Sequence, residues 1–579
     1  MIRKGSLSLL MILLLLMPFT TVVQGQDEGP FTIGLSISTL NNPFFVTLRD
    51  GAQAAADAAG VELVVLDSQD DPATEAANME DLIAQGVDAI LVNPTDSDAI
   101  VPSIEAANAA GIPVFTVDRG ASGGEVVAHI ASDNVAGGRL AAEYLCNALG
   151  GEGRVVELEG IAGTSAARDR GEGFNAYLSE NCPGIEVVAR QTANFNRAEG
   201  LTVFENILQA QPEIDGVFAH NDEMILGAIE AAEAAGREGI IFVGFDAIDD
   251  AVAAVKDGRL AATVAQQPDL MGEIAVETAV AYLSGEAVEA AIPVDLRLVQ
   301  NVTLGLSIST LNNPFFVTLR DGAQAAADEL GTVELVVLDS QDDPATEAAN
   351  MEDLIAQGVD AILVNPTDSD AIVPSIEAAN AAGIPVFTVD RGASGGEVVA
   401  HIASDNVAGG RLAAEYLCNA LGGEGRVVEL EGIAGTSAAR DRGEGFNAYL
   451  SENCPGIEVV ARQTANFNRA EGLTVFENIL QAQPEIDGVF AHNDEMILGA
   501  IEAAEAAGRE GIIFVGFDAI DDALAAVRDG RLAATVAQQP DRIGALGVLT
   551  AVSALGGQEV EATIPVDLQL ITSENVPAE

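Results

Sequence analysis

The chain contains one long sequence twice. Residues Glu62–Ala251 recur without a substitution as Glu334–Ala523. The similarity extends from Thr32–Val299 to Thr303–Ile571, with one inserted residue near Thr332. A repeat of this length is a whole domain, because solenoid units run to about 20–50 residues. Each copy is long enough for one large domain or for two small lobes with separate cores. Identical side chains make identical pockets, so we expect both copies to bind the same ligand.

The first residues have the pattern of an export signal. Arg3 and Lys4 precede the apolar run Leu9–Phe19, and the small residue Gly25 precedes an expected cleavage site before Gln26. The alternative is an uncleaved membrane anchor, but the run is short for a span of about 20 residues. No Cys follows the run, which disfavours a lipid-anchored lipoprotein. We therefore expect an exported protein of the periplasm or cell envelope.

These features predict four segments along the chain. They are a signal peptide at residues 1–25, a first copy at 26–300, a second copy at 301–572, and a polar tail at 573–579.

The charge of the chain limits its partners. The formal net charge is −63, and lysine occurs only at Lys4 and Lys256. Nucleic acid is excluded because its phosphates would be repelled, and an anionic substrate is disfavoured for the same reason. A small neutral ligand is unaffected. A salty habitat and a solvated surface with a bias to Arg both fit the acidity.

Each copy contains two cysteines, Cys146 and Cys182 in the first and Cys418 and Cys454 in the second. Their wide spacing does not fit a zinc site or a redox CxxC motif. An exported chain with an even count permits disulfides, while buried free thiols are the alternative. Each pair falls near the ends of two predicted helices that flank one strand. We therefore predict Cys146–Cys182 and Cys418–Cys454 bonds.

Short apolar, β-branched runs alternate with Ala-rich amphipathic stretches. This alternation predicts a parallel, doubly wound α/β sheet with strands covered on both faces. Nine or more strands exceed one compact sheet of ordinary size, so two lobes are expected in each copy. The predicted strands of the first copy are Thr32–Ser38, Glu62–Asp67, Ala89–Asn93, Val114–Asp118, Val155–Glu159, Glu186–Arg190, Gly216–Ala219, Ile240–Gly244 and Ala262–Ala265. Predicted helices include Phe45–Ala59, Ala73–Gln85, Ala99–Ala110, Asn134–Leu149 and Ser165–Asn181.

In open α/β sheets, ligands bind outside the carboxyl ends of the strands. The residues that follow the predicted strands combine aromatic rings, neutral amides and a few charged groups. Sugars suit this combination, because their C–H faces pack on rings and their hydroxyls pair with Asp, Asn and Arg. Taken singly, each Asp or Asn fits an ordinary turn or helix cap better. The set is Asn42, Phe44, Phe45, Asn93, Asp118, Arg119, Arg170, Phe195, Asn221, Asp222, Phe245, Asp246 and Gln266.

Nearly all of each copy closely resembles the periplasmic ribose-binding proteins, the substrate-capturing component of bacterial ribose ABC importers. The resemblance is carried by Ser38–Phe45, Asn93–Asp98, Val117–Arg119, His129–Asn134, Gly160–Phe174, Asn221–Met224, Val243–Asp246, Ala261–Gln266 and Pro293–Leu296. It implies two tandem copies of a periplasmic binding protein fold. Each copy would have two lobes, joined by a hinge that the chain crosses three times, near Ser132-Asp133, Gln266-Gln267 and Val294-Asp295.

The resemblance also implies the sugar contacts, and no contact is substituted in either copy. In the first copy they are Asn42, Phe44, Phe45, Asp118, Arg119, Arg170, Phe195, Asn221, Phe245, Asp246 and Gln266. In the second they are Asn313, Phe315, Phe316, Asp390, Arg391, Arg442, Phe467, Asn493, Phe517, Asp518 and Gln538. The chain has no Trp, which disfavours the glucose/galactose-type relatives. His220 stands where the ribose proteins have Gln, and it leaves the identity of the sugar slightly open.

The resemblance implies capture of a neutral monosaccharide, D-ribose first, by lobe closure, and delivery to the membrane permease of an ABC importer. Sensing for a chemoreceptor, or import of another pentose or hexose, is the alternative. A sugar-responsive repressor would need a basic DNA-binding headpiece where this chain has its export signal. A sugar hydrolase or isomerase would need a paired acid and base in opposed environments. We expect no enzyme activity and no cofactor.

Other chemistry is not indicated. The four histidines, His129, His220, His401 and His492, are isolated and lack metal-ligand spacing. The acidic segment 67–71 lacks the Gly and the later Glu of a calcium loop. We therefore expect no metal site.

The junction between the copies is short. The first copy ends its last strand near Val299 and the second begins near Thr303, so three residues span at most roughly 10 Å. The copies must therefore abut, with the second lobe of copy one beside the first lobe of copy two. We expect the two sites to bind independently, because the hinge lies within a copy and not at the junction.

Overall fold

The computed structural model describes residues 30–578, so the predicted signal peptide lies outside the described residues. Within residues 30–578, no helix has the length and apolar character needed to cross a membrane. Each copy forms two six-stranded sheets.

The first copy alternates strands and helices throughout. Its elements are β1 (Thr32–Ile37), α1 (Pro43–Ala59), β2 (Glu62–Asp67), α2 (Pro72–Gln85), β3 (Ala89–Val92), α3 (Val101–Ala109), β4 (Val114–Val117), β5 (His129–Ser132), α4 (Asn134–Ala148), β6 (Glu152–Glu159), α5 (Ser165–Asn181), β7 (Gly184–Thr192), α6 (Arg197–Ala210), β8 (Gly216–Ala219), α7 (Asp222–Ala234), β9 (Ile241–Asp246), α8 (Asp249–Lys256), β10 (Ala262–Ala265), α9 (Pro268–Leu283), β11 (Ala291–Val294) and β12 (Arg297–Gln300).

The second copy repeats this order. Its elements are β13 (Val302–Ile308), α10 (Pro314–Leu330), β14 (Val333–Asp339), α11 (Pro344–Gln357), β15 (Ala361–Val364), α12 (Val373–Ala381), β16 (Val386–Val389), β17 (His401–Ser404), α13 (Asn406–Ala420), β18 (Glu424–Glu431), α14 (Ser437–Asn453), β19 (Gly456–Thr464), α15 (Arg469–Ala482), β20 (Gly488–Ala491), α16 (Asp494–Ala506), β21 (Ile513–Asp518), α17 (Asp521–Arg528), β22 (Ala534–Ala537), α18 (Pro540–Leu555), β23 (Thr563–Val566) and β24 (Gln569–Thr572).

The sheets of copy one confirm the predicted doubly wound architecture. The first lobe has the strand order β11-β5-β4-β3-β1-β2, and the second has β12-β10-β9-β8-β6-β7. Neighbouring strands are parallel except β12, which runs antiparallel to β10. Central strands such as β3 and β8 are buried along their whole length, because helices cover both faces of the sheet. Copy two has the same two orders, β14-β13-β15-β16-β17-β23 and β19-β18-β20-β21-β22-β24.

The chain crosses between the lobes three times, at the predicted places. β5 ends at Ser132 in the first sheet, and α4 begins at Asn134 and packs on the second lobe. β10 ends in the second sheet, and α9 packs against α1 of the first. β11 lies in the first sheet and β12 in the second, so the segment Asp295-Leu296 forms the third crossing. All nine predicted strands are present.

Two strands, β5 and β11, escaped the sequence prediction. Each has only four residues. β11 contains Pro293, which cannot donate to a ladder and is found at sheet edges, where β11 lies. β3, β4, β8 and β10 are equally short, but they are buried throughout, whereas β5 begins with the half-buried His129 and β11 is mostly exposed.

A disulfide joins Cys146 to Cys182, whose Cα atoms lie 6.3 Å apart. The second joins Cys418 to Cys454, at 6.2 Å. In each pair the first cysteine lies in the last turn of one helix and the second caps the end of the next. The bond therefore ties two neighbouring helices of the second lobe at one end.

The two copies abut. β12 of copy one ends at Gln300 and β13 of copy two begins at Val302. Between them, the Asn301 side-chain amide donates to the Val255 carbonyl at 2.6 Å. β12 belongs to the second lobe of copy one and β13 to the first lobe of copy two, which is the arrangement that the short junction predicted.

Candidate functional site

The carboxyl ends of the two sheets of each copy face one another across a cleft. In copy one the cleft contains a small cavity. Nine of the eleven predicted contacts line it, together with Ala166: Asn42, Phe44, Phe45, Asp118, Arg119, Arg170, Phe195, Asn221 and Asp246. Copy two has an equal cavity, lined by Asn313, Phe315, Phe316, Asp390, Arg391, Ala438, Arg442, Phe467, Asn493 and Asp518. Residues from both lobes form each cavity.

The lobes are closed over the cavity. The Ser97 backbone N–H in the first lobe donates to the Gly163 carbonyl in the second at 3.1 Å. The Gly120 backbone N–H donates to the Ser165 hydroxyl at 2.8 Å. Gly163 has a φ of +102°, and a Cβ there would lie 2.2 Å from an Asp96 carboxylate oxygen. This glycine lets the rims of the lobes approach each other.

Two asparagines in the cavity wall also cap helices. The side-chain oxygen of Asn42 accepts from the Phe44 N–H at 3.0 Å at the start of α1. That of Asn221 accepts from the Met224 N–H at 3.0 Å at the start of α7. Each of these asparagines therefore caps a helix and also lines the cavity.

Aromatic rings line the cavity from both lobes. Phe44 and Phe45 pack edge to face with centroids 5.1 Å apart. The Phe195 ring, from the second lobe, lies 5.3 Å from the Arg119 guanidinium and 5.9 Å from that of Arg170. Phe195 has a φ of +57°, an uncommon backbone state for a bulky residue that functional sites tend to retain. A Cβ at Gly160 would overlap the Phe195 ring, so a glycine is needed there.

In the first lobe, Asp118 and Arg119 follow β4. The Asn93 side-chain amide donates to Asp118 Oδ2 at 3.1 Å and to the Val117 carbonyl at 3.0 Å. Asp118 Oδ2 lies 3.8 Å from Arg119 Nε. Asn93 therefore stands behind Asp118 and fixes its orientation. The position of Asn93 after β3 was the sequence signal for it.

In the second lobe, Arg170 is the centre of a buried network. Its Nε donates to Asn134 Oδ1 at 2.8 Å, and its Nη1 donates to the His220 carbonyl at 2.5 Å and to Asp246 Oδ1 at 3.4 Å. Its guanidinium stacks on Phe245 at 3.8 Å. These partners lock the Arg170 side chain in one position.

Phe245 and Gln266 belong to this support and do not line the cavity. Phe245 lies beneath Arg170, and Gln266 Nε2 donates to Asp246 Oδ1 at 2.8 Å. Sequence reasoning placed both among the contacts, but it missed Asn134 as the partner of Arg170. The position of a residue after a strand does not show whether its side chain lines the cavity or supports another side chain that does.

Burial raises the pKa values of two carboxyl groups in and beside this network. Loss of solvent raises the pKa of Asp246 to about 7, although Arg170 opposes this shift. Burial and the nearby Asp246 raise the pKa of Asp222 well above its usual range. Asp518 in copy two is also raised to about 7 by burial. Arg170 and Arg442, which lie 3.4 and 3.3 Å from the two carboxyls with a pKa of about 7, favour their charged forms against the effect of burial.

The histidines have structural partners. His220 Nδ1 accepts from the Gly160 N–H at 3.3 Å, and its Nε2 lies 3.0 Å from Glu157 Oε1. Burial alone would raise the pKa of Glu157, but the His220 hydrogen bond and charge outweigh it and lower that pKa. His129 Nδ1 lies 2.9 Å from the Thr116 hydroxyl. Among residues 30–578, no group of three or more His, Cys, Asp and Glu side chains could hold a metal ion.

Both halves of the chain are similar to known proteins of one family. A family model described as a periplasmic binding protein domain matches residues 33–287 and again residues 304–559. The ribose import binding protein of Haemophilus influenzae is 52% identical over 277 residues, which are 48% of this chain and 94% of that protein. Its counterpart in Escherichia coli K12 is 53% identical over 272 residues, 47% of this chain and 91% of that protein. The Bacillus subtilis counterpart is 50% identical over 272 residues, which are 47% of this chain and 88% of that protein. Each relative therefore matches one half of the chain.

Proposed function

The chain belongs to the periplasmic binding protein domain family, and from that premise we propose that each copy captures D-ribose by lobe closure for delivery to an ABC importer. The protein acts after export, in the periplasm or cell envelope, and it binds the sugar without transforming it. Capture for a chemoreceptor, or of another pentose or hexose, is the second candidate.

The observation that carries the proposal is a set of buried polar atoms around the cavity. Asp118 Oδ1 and Arg119 Nε belong to residues that line the cavity and have no hydrogen-bond partner among the described residues. The same two atoms of Asp390 and Arg391 recur in copy two. A buried polar group left unpaired costs about 1–3 kcal/mol. A ligand with several hydroxyls supplies a donor to the carboxylate and an acceptor to the guanidinium.

The charges of the cavity favour a neutral ligand. Two carboxylates, Asp118 and Asp246, face two guanidinium groups, Arg119 and Arg170. The pairs offset each other, so an anion finds no excess of positive charge. Phe45 and Phe195 offer apolar faces to the C–H groups of a sugar ring.

The carboxylates have recognition roles that leave no acid–base pair. Asn93 orients Asp118 in the first lobe, while Gln266 and Arg170 hold Asp246 in the second. A glycosidase would need one carboxyl poised as an acid and another as a base or nucleophile beside one bond. This arrangement supports binding over turnover.

The identity of the sugar rests on the relatives, which are named as ribose import binding proteins. A thermal-shift screen of ribose, arabinose, xylose, allose, glucose and galactose tests it. We expect ribose to raise the melting temperature most, since ligand binding to the native state stabilises it. A larger shift with a hexose would replace ribose as the ligand. Proton NMR of the same mixtures should show each sugar unchanged after incubation, and formation of a product would reject the assignment as a binding protein.

A further inference from the structure

The two copies differ where they touch each other. At the contact, copy two has residues that copy one lacks. Leu330 replaces Ala59, and Thr332 is the inserted residue. Both line a small cavity together with Val299 and other residues of copy one. Leu330 is half-buried there, whereas Ala59 is exposed.

Copy two also differs from copy one in the C-terminal half of α18 and the turn that follows it. Leu549, Gly556 and Gln558 line a groove between the copies, and their counterparts in copy one are Glu277, Ser284 and Glu286. All three counterparts are exposed, whereas Gly556 is buried and Gln558 half-buried. The substitutions remove two carboxylates and a side chain from the face that meets copy one.

This face of copy two lies on the hinge of copy one. The groove is lined on the copy-one side by the crossing segment Pro293–Leu296. The Gln558 side-chain amide donates to the Leu296 carbonyl at 3.2 Å. The Leu298 backbone N–H donates to the Gly556 carbonyl at 3.4 Å. Both bonds reach the third crossing or the strand that follows it.

The residues of copy two suit this contact and those of copy one would not. A Cβ at Gly556 would lie 3.3 Å from both the N and the O of Leu298, so a serine such as Ser284 would crowd the strand. A glutamate such as Glu286 in place of Gln558 would set a carboxylate against the Leu296 carbonyl and lose the donor.

The hinge of copy two has no such contact. Among residues 30–578, no hydrogen bond from copy one reaches the equivalent segment Asp567-Leu568 or the backbone N–H of Leu570. The Leu570 carbonyl instead accepts from Asn575 in the C-terminal tail. The two hinges therefore differ, although the residues that line the two cavities are the same.

We propose that copy two holds the hinge of copy one in its closed geometry, so that copy one binds the sugar more tightly than copy two. Gln558 is the positioning residue. Hinge segments absorb the backbone change when lobes open, so opening of copy one should shift the bond that Gln558 makes to the Leu296 carbonyl in the crossing, while Leu298 moves with the second lobe. Apparent affinity scales with the population of the binding-competent state, and a contact made in the closed state raises that population.

This inference rests on the proposed function and revises the expected independence of the sites. The expectation treated the hinge as internal to a copy. The hinge is internal, but its outer surface is the surface on which the next copy packs.

The test compares two chains that each keep one working site. Arg442→Ala leaves copy one to bind, and Arg170→Ala leaves copy two. We expect ribose titrations to give a Kd at least about threefold lower for copy one. Gln558→Glu should raise the Kd of copy one to that of copy two and leave copy two unchanged. The matched control is Glu286→Gln, at the equivalent exposed position of copy one, which should change neither Kd.

Hydrogen exchange without sugar provides a second readout. The Leu298 amide, which donates to the Gly556 carbonyl, should exchange more slowly than the equivalent Leu570 amide, and Gln558→Glu should reduce the difference. Equal affinities in the two single-site chains, a difference that persists in Gln558→Glu, or equal exchange at Leu298 and Leu570 would each overturn the inference. If neither chain binds ribose, the proposed function fails, and the exchange comparison still decides whether the hinge is held.

Discussion

Phe195 meets both guanidinium groups of the cavity from the second lobe, while Arg119 reaches it from the first. Its ring therefore contacts residues that come together only when the lobes close. A ring in this position should contact the ligand and also stabilise the closed state of the lobes.

Replacing Phe195 by Ala should weaken ribose binding at copy one by about 2–4 kcal/mol, because the ring's contact area and its share of closure are lost. The measurement is calorimetry in the Arg442→Ala background. Phe467→Ala in the same background is the matched control and should leave the affinity of copy one intact. Equal affinities with and without the Phe195 ring would assign it to the core.

A second residue-scale prediction concerns pH. Glu75 is buried and accepts from the Thr95 backbone N–H at 2.9 Å and the Thr95 hydroxyl at 2.8 Å. Burial raises its pKa to about 7, as it does for Glu347 in copy two. The folded protein therefore holds these protons when the unfolded chain, with a carboxyl pKa near 4.5, has released them. This contribution to stability is fully present below about pH 4.5 and is lost as the pH rises to 7.

In the double variant Glu75→Gln, Glu347→Gln, the free energy of unfolding should fall less between pH 5 and pH 8, by on the order of 1–3 kcal/mol per site. The melting temperature, measured across this pH range, should fall less as well. Exposed Glu80→Gln with Glu352→Gln is the control and should keep the wild-type slope. An unaltered slope in the Glu75 variant would show that this carboxyl is already ionised at pH 5.

At the level of the element, the sequence predicted the strands with an uninterrupted apolar run and missed two that lack one. Apolar runs indicated the other strands of both sheets, including four that have only four residues. β5 and β11 have four residues each, and their place in the sheet depends on neighbours that are distant in sequence. The supporting roles of Asn134, Phe245 and Gln266 were hidden for the same reason, because the spatial order of side chains behind the cavity is set by tertiary packing.

The two disulfides should stabilise the folded protein. Each closes a loop with a sequence separation of 36 residues, so the chain-entropy model gives about 3–4 kcal/mol per bond. The exported protein should show no reactive thiol in denaturant without reductant and four with it. Cys146→Ala with Cys182→Ala should lower the melting temperature while ribose affinity is retained, because the pair lies at the far end of α4 from the crossing at Ser132-Asp133. Free thiols in the exported, unreduced protein would contradict the pairing.

At the scale of the whole molecule, the short junction predicted that the copies abut, and the structure places second lobe against first lobe as expected. The contacts of Gly556 and Gln558 with the hinge were beyond prediction, because residues 262 positions apart approach each other only in the folded chain. Two identical cavities in one chain nevertheless imply two bound ligands.

Isothermal titration of the exported chain with ribose counts its binding sites, and it therefore shows whether each copy is a complete sugar-binding unit. We expect two ribose molecules per chain, each with a Kd of roughly micromolar or tighter, about −8 kcal/mol or better. The stoichiometry should fall to one in Arg170→Ala or Arg442→Ala and to zero in the double variant. Absence of ribose binding by the intact chain, or one ribose per intact chain, would contradict the account.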